Sequence, residues 1–280
     1  MKLIYLWLLF LLIGNVFLYS QNVGQPGNDS IINYTDIQGN KQGKWIRKYD
    51  KNKIAYVAYF KNNKLVGNYK RWYYSGALKA DINYNDDGSI GYAKLYWDNG
   101  KLMAKGKYIN QNVKDSVWEF YGVDGALMRK ETYVNGVLHG PSYSYYRTGI
   151  VSRKAIYNNG LIDSIYREYW DETGLTRLEI HYVKGVRNGP IKVYYDDGKV
   201  YLSGYYKNDL PEGKWIVYYR DGTVEKELEY IKGLLKDEDE RNREFAKKIL
   251  ELDKLKGKIP EPKEEDFFNM QGRKDKYFME

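Results

Sequence analysis

An all-β fold, an elongated antiparallel sheet of repeated β-hairpins with a C-terminal capping helix, is predicted by three features of the 280-residue sequence. Aromatic residues ahead of turns, Tyr49, Tyr73, Trp97, Tyr121, Tyr146, Trp170, Tyr195 and Tyr219, are spaced 24, 24, 24, 25, 24, 25 and 24. A second column, Phe60, Tyr84, Tyr108, Tyr133, Tyr157, Tyr182, Tyr206 and Tyr230, repeats with the same period. Tyrosine accounts for 31 of 280 residues, a composition that favours strands and excludes a disordered polar chain. Regular spacing at this interval is the mark of a repeat architecture in which each unit needs its neighbours to bury a core.

Each period reads as one hairpin. Residues 70–73 form a short strand, Ser75 and Gly76 lie in a turn, and Leu78, Ala80, Ile82 and Tyr84 alternate with polar residues at the two-residue period of a half-buried strand. Leu178, Ile180 and Tyr182 follow the same rule, as do Leu202, Gly204 and Tyr206, whereas Arg129, Glu131, Arg153 and Lys226 break it. The turns carry Asp98-Asn99-Gly100 and Asp197-Gly198, residue types that tolerate the backbone of tight hairpins. In the two 25-residue steps the turn glycine, Gly125 or Gly174, follows its aromatic by four rather than three, which predicts one extra turn residue in each. Gly67, Gly91, Asp115, Gly140, Asp163, Gly189 and Gly213 close successive units. A lone hairpin is marginal in water, so eight of them over residues 40–233 must stack.

The flanks differ in kind. Lys2, the apolar run Leu3 to Leu18 and the sequence Tyr19-Ser20-Gln21 predict a secretory signal peptide over residues 1–20, cleaved near Ser20/Gln21, and hence an exported protein of the periplasm, outer membrane or exterior. Leu18 departs from the small residue expected at its place before the cut, so an N-terminal anchor stays open as the alternative. Residues 21–39 are Asn- and Gly-rich and read as a loose lead-in. Over residues 234–256, Phe245, Ile249, Leu252 and Leu255 at helical spacing predict a helix that caps the sheet, and residues 257–280, with Pro260, Pro262 and a run of acidic residues, predict an extended tail.

The segment 213–222, GKWIVYYRDG, with Tyr230 to Gly233 after it, resembles the MORN-repeat variant found in bacterial proteins of the YwqK type described as antitoxins. Residues 189–198, GPIKVYYDDG, and the linker 134–140, VNGVLHG, are similar to the same pattern, and the resemblance spans about Gly39 to Gly233. It implies a hairpin repeat that binds proteins or membranes. An export signal argues against neutralising a cytosolic toxin.

The inventory for chemistry is poor. There is no Cys, and the two histidines, His139 in an inter-unit loop and His181 in a strand, fall in different columns, so no nucleophile, metal cluster or cofactor site is predicted and the chain reads as non-catalytic. Asp residues beside turn glycines are turn formers rather than calcium ligands, since each turn offers one or two carboxylates where calcium wants several.

The candidate surface is an aromatic ladder one residue before the first column: Trp72, Tyr96, Phe120, Tyr145, Tyr169, Tyr194 and Tyr218. Neighbouring strand residues face opposite ways, so the ladder offers a platform on the other face, or else cross-strand pairs that hold a thin sheet together. Lys105, Lys130 and Lys154 share a column on successive second strands. The net +8 belongs to the repeats, because the tail from Leu234 holds 12 basic and 13 acidic residues. These features predict a partner that is an envelope or secreted protein, with glycan or anionic lipid as the alternative, an antitoxin-like role as a further one, and no nucleic acid.

Overall fold

A computed structural model describes residues 31–236 and 247–251; the segments predicted as signal peptide and tail lie outside the described residues. The chain divides into two compact units, Met1–Gly149 and Ile150–Glu280, each a meandering antiparallel sheet.

In the first unit, β1 (Tyr34–Thr35), β2 (Lys41–Lys48), β3 (Ile54–Lys61), β4 (Lys64–Trp72) and β5 (Leu78–Tyr84) are followed by β6 (Ile90–Tyr96), β7 (Leu102–Ile109), β8 (Val113–Tyr121), β9 (Leu127–Val134) and β10 (Val137–Tyr145). Each pairs antiparallel with the next. The second unit runs β11 (Val151–Asn158), β12 (Leu161–Ile162), β13 (Ser164–Tyr169), β14 (Thr176–Val183), β15 (Val186–Tyr194), β16 (Val200–Lys207), β17 (Leu210–Pro211), β18 (Gly213–Tyr218), β19 (Val224–Ile231) and β20 (Leu234–Leu235). There β12 with β13, and β17 with β18, act as single interrupted strands beside β11 and β16.

One face of each sheet is the core, and the alternating second-strand residues supply it. Ala80, Ile82 and Tyr84 are buried in the first unit, and Ile180, Tyr182, Leu202 and Tyr206 in the second. Both units repeat one device: a tryptophan laid over a glycine. Trp118 packs on Gly106 and Trp215 on Gly204, so close that a Cβ on the glycine would stand 2.2 Å and 2.4 Å from the indole. Tyr108 and Tyr206 lean on those indoles at 4.7 Å and 5.1 Å between ring centres. Residues 247–251 are helical and bury Ile249 in the core of the second unit.

The tightest turns are the linkers between hairpins. Asn62-Asn63, Asn135-Gly136, Lys184-Gly185 and Lys232-Gly233 hold two successive positive-φ residues, the turn that suits the right-handed twist of paired strands. Glycine fits because it has no Cβ to clash, and asparagine because its short polar side chain hydrogen-bonds locally; Lys184 and Lys232 take the strained first place in two of these turns.

Three sequence expectations are corrected. The closing-glycine place in the fourth and sixth hairpins is held by Ser116 (φ 60°) and Ser164 (φ 142°), opposite Tyr133 and Tyr182, not by Asp115 and Asp163. Those two aspartates instead accept from the linker amides of Asn135 (3.3 Å) and Lys184 (3.2 Å) in the next hairpin. The extra residue of the fourth hairpin lies between Tyr108 and Ser116 rather than in its turn, where Gly122 opens the turn that Tyr73 and Trp97 open elsewhere. At Gly174 the extra residue does sit in the turn, closed by Trp170 and Leu175. Finally, His139 lies within β10 and not in a loop.

Candidate partner-binding face

The face opposite the core carries a row of mostly charged residues, one per strand. In the first unit Lys70, Asp81, Lys94, Lys105, Glu119, Lys130 and Tyr143 stand directly opposite one another in turn. In the second the row is Lys154, Arg167, Glu179, Lys192, Ser203, Ile216 and Glu227. Strand pleating puts residues two apart on one face, so Trp72, Tyr96, Tyr121 and Tyr145, each two residues beyond a row member, flank the row in the first unit. Tyr169, Tyr194 and Tyr218 do so in the second. All seven rings are half-buried.

Phe120 is the departure from the predicted ladder. The residue inserted before Ser116 shifts β8 by one, so Phe120 pairs with Ala104 as Leu95 pairs with Ala80, and its ring is buried at 6% exposure in the core. Tyr121 takes the ladder place. Counting three residues back from Gly125 lands on Gly122, but the same count from Gly174 lands on Asp171, so spacing alone does not say on which side of the aromatic the extra residue lies.

The predicted lysine column is not a stack of bare like charges. Glu119 of β8 stands between Lys105 and Lys130, at 2.8 Å and 3.8 Å, because a first strand separates neighbouring second strands. The Tyr121 hydroxyl donates to Glu119 at 2.6 Å, and the Lys105 ammonium sits 5.9 Å from the Tyr121 ring centre. The hydrogen bond from Lys105 holds the Glu119 carboxyl below its ordinary range, and the same bond raises Lys105. Burial pushes up the Tyr96 and Tyr121 hydroxyls, helped by the charges of Asp81 and Glu119. Lys94, exposed and opposite Lys105, makes no ion pair among the described residues. In the second unit Lys154 faces Arg167, which pairs with Glu179 at 2.7 Å, and Tyr218 meets Ser203 at 3.4 Å.

Two of the residues that broke the alternation, Arg129 and Glu131, lie on the core face and neutralise each other. Arg129 pairs with the buried Glu131 at 3.0 Å and the Tyr133 hydroxyl donates to the same carboxylate at 2.6 Å. In the second unit the buried Glu168 accepts from Tyr166 at 2.7 Å and pairs with Arg177. The turn aspartates Asp50, Asp87, Asp124, Asp197 and Asp221 accept from backbone amides two residues on, at 2.8–3.1 Å. Among the described residues no three metal-ligating side chains gather in one place.

Paired hairpins, stacked linkers and a ridged outer face define a β-hairpin repeat protein. Residues 65–86, 90–110, 138–159, 187–208 and 211–232 match the MORN repeat variant, and the chain carries that repeat in these five copies. Such repeats commonly serve as protein- or lipid-binding modules, and the family is generally non-catalytic. No curated protein matches the chain. Among solved structures, one described as "Crystal Structure of TarM" is 16% identical, covering 42% of this chain and 22% of that one at a TM-score of 0.25, a likeness too slight to bear on function.

Proposed function

We propose that the protein is an exported, non-catalytic scaffold that binds an envelope or secreted protein through the ladder face of its hairpin sheets. The observation that carries this reading is the alignment of half-buried aromatic rings beside a charge row, as in Tyr96, Tyr121, Lys105 and Glu119. Aromatic anchors with polar neighbours are the composition of protein interfaces, because a rigid ring contributes contact area at low entropic cost. The apolar start of the sequence supports export.

A glycan or anionic lipid is the second reading, favoured by exposed Lys94 directly opposite Lys105. The test is to express the tagged full-length chain in a Gram-negative host, locate the mature N-terminus by mass spectrometry, and compare co-purifying molecules for wild type and Tyr96→Ala/Tyr121→Ala. A start at Gln21 and a stoichiometric envelope protein lost in the variant, with a melting temperature only a few degrees lower, is the expected result. Retention on envelope polysaccharide or anionic vesicles alone would favour the second reading. A start at Met1 in the cytosol with a toxic partner would sink both and leave an antitoxin-like role.

A further inference from the structure

The core face of the first hairpins carries positive charge that no carboxylate answers. Arg47 stands opposite Tyr56, and Tyr56 opposite Arg71, in the row that continues through Ala80, Leu95 and Ala104. Further along that face each charge has its counterion: Arg129 has Glu131, and Glu168 has Arg177. Arg47 and Arg71 make no ion pair among the described residues, and both are exposed, so a ligand can reach them.

The sequence around them explains the imbalance. Residues 37–85 contain two carboxylates, Asp50 and Asp81, and both are engaged elsewhere. Asp81 pairs with Lys70 at 3.6 Å on the ladder face, and Asp50 accepts from the Tyr74 hydroxyl at 3.1 Å. A third cation adds to the surplus. Burial holds the Lys79 ammonium below its ordinary range, and the charge of Arg71 lowers it further.

Arg47 and Arg71 also line one half-open hollow of about 480 Å³, together with Tyr49, Tyr56 and Tyr69. That volume lies within the range of small-ligand sites, and it exceeds what a bare anion fills. The Tyr56 and Tyr69 rings, 6.1 Å apart between centres, give it an aromatic wall.

We infer that this hollow binds a phosphate monoester, its phosphoryl group held by Arg47 and Arg71 and its uncharged body lying against the rings of Tyr56 and Tyr69. Each guanidinium presents a fork of N–H donors, so two of them offer more than the two oxygens of a carboxylate take up. A phosphoryl group brings three oxygens and close to two negative charges. The site lies within the first unit on the face opposite the ladder, and it stands or falls apart from the partner surface proposed above.

The probe is phenyl phosphate, titrated calorimetrically into the full-length protein at physiological ionic strength. Saturable one-to-one binding is expected, weaker for inorganic phosphate, which lacks the ring, and weaker for benzoate, which lacks the third oxygen and second charge. Arg47→Gln and Arg71→Gln, both at exposed positions, are each expected to weaken phenyl phosphate about tenfold or more, the equivalent of one charge-assisted hydrogen bond. Lys61→Gln removes the same charge from the far end of β3, beyond a screening length from Tyr56, and is expected to leave the affinity unchanged. Vesicles of phosphatidylcholine with phosphatidic acid separate the sources of the ligand. Retention of the protein, lost in Arg47→Gln/Arg71→Gln, would place the monoester on a lipid; binding of phenyl phosphate without retention would place it on a soluble molecule. The inference is overturned if phenyl phosphate does not saturate, if benzoate binds as tightly, or if Lys61→Gln weakens binding as much as Arg71→Gln.

Discussion

The Tyr73 hydroxyl donates at 2.7 Å to the backbone carbonyl of Tyr96, one hairpin further along the chain. The same stitch recurs from Tyr49 to Trp72 (2.8 Å), from Trp97 to Tyr121 (3.1 Å) and from Tyr195 to Tyr218 (2.8 Å). Each accepting residue is one at which the strand register shifts, so its carbonyl stands beside an irregular step in the ladder. At these four positions the first aromatic column thus ties hairpin to hairpin through a donor on the ring, which tyrosine or tryptophan supplies. Tyr73→Phe is expected to lower stability by about 1 kcal/mol, the net worth of one hydrogen bond. Urea denaturation checks it; an unchanged midpoint would show the bond to be idle.

Gly204 fixes how closely Trp215 approaches the sheet. A Cβ there would stand 2.4 Å from the indole Cδ2, and neither ring nor strand can yield without disturbing Tyr206 and Tyr230, which pack on the same indole. Gly204→Val is expected to cost about 2–3 kcal/mol through overpacking, against less than about 1 kcal/mol for the same change at an open strand position. Chemical denaturation followed by tryptophan fluorescence measures both. A stable Gly204→Val protein would mean that the tryptophan column repacks freely.

Much of this was legible in the sequence. The period located the hairpins, and the two-residue alternation in Leu78 to Tyr84 and Thr176 to Tyr182 located the core face, because one buried side of a thin sheet leaves little choice of residue. The position of single insertions was not legible, since an added residue before Ser116 and one in the Gly174 turn lengthen the spacing equally. Nor was the fate of Arg129, Glu131 and Glu168. Charges on an apolar face look like errors in one strand and become pairs only when the cross-strand register sets Arg129 beside Glu131 and Tyr133. The Lys105 column misled for the same reason, because Glu119 on the intervening strand is far from either lysine along the chain.

Burial pushes the Tyr84 hydroxyl up from an ordinary value of 10.0 to about 12, and raises Tyr69, Tyr201 and Tyr230 in the same direction. A raised folded-state value means stability that is complete below about pH 10 and is lost as pH rises towards about 12, because the unfolded chain gives up its protons first. On the acid side the sign reverses. Hydrogen bonds from Lys105 to Glu119 and from Lys107 to Asp115 hold those carboxyls low, so their contribution is present above the ordinary carboxylate range and lost as pH falls through the folded values. The urea midpoint is expected to drop between about pH 10 and about pH 12, and to drop less in Tyr84→Phe. A flat midpoint across that interval would contradict the burial of these phenols.

The shifted register of β8 makes opposite demands on adjacent residues. Phe120 is buried, 6.1 Å from Trp118 with the Arg129 guanidinium 4.9 Å from its centre, whereas Tyr121 is half-buried on the ladder face and donates to Glu119. Phe120→Ala is expected to cost about 3 kcal/mol or more through the void it leaves. Tyr121→Ala is expected to cost about 1 kcal/mol, since it forfeits one hydrogen bond while its backbone carbonyl still accepts from Trp97. In an unshifted register the two costs would exchange places. Paired denaturation curves for the two variants therefore decide which residue belongs to the ladder, and with it which ring a partner would meet.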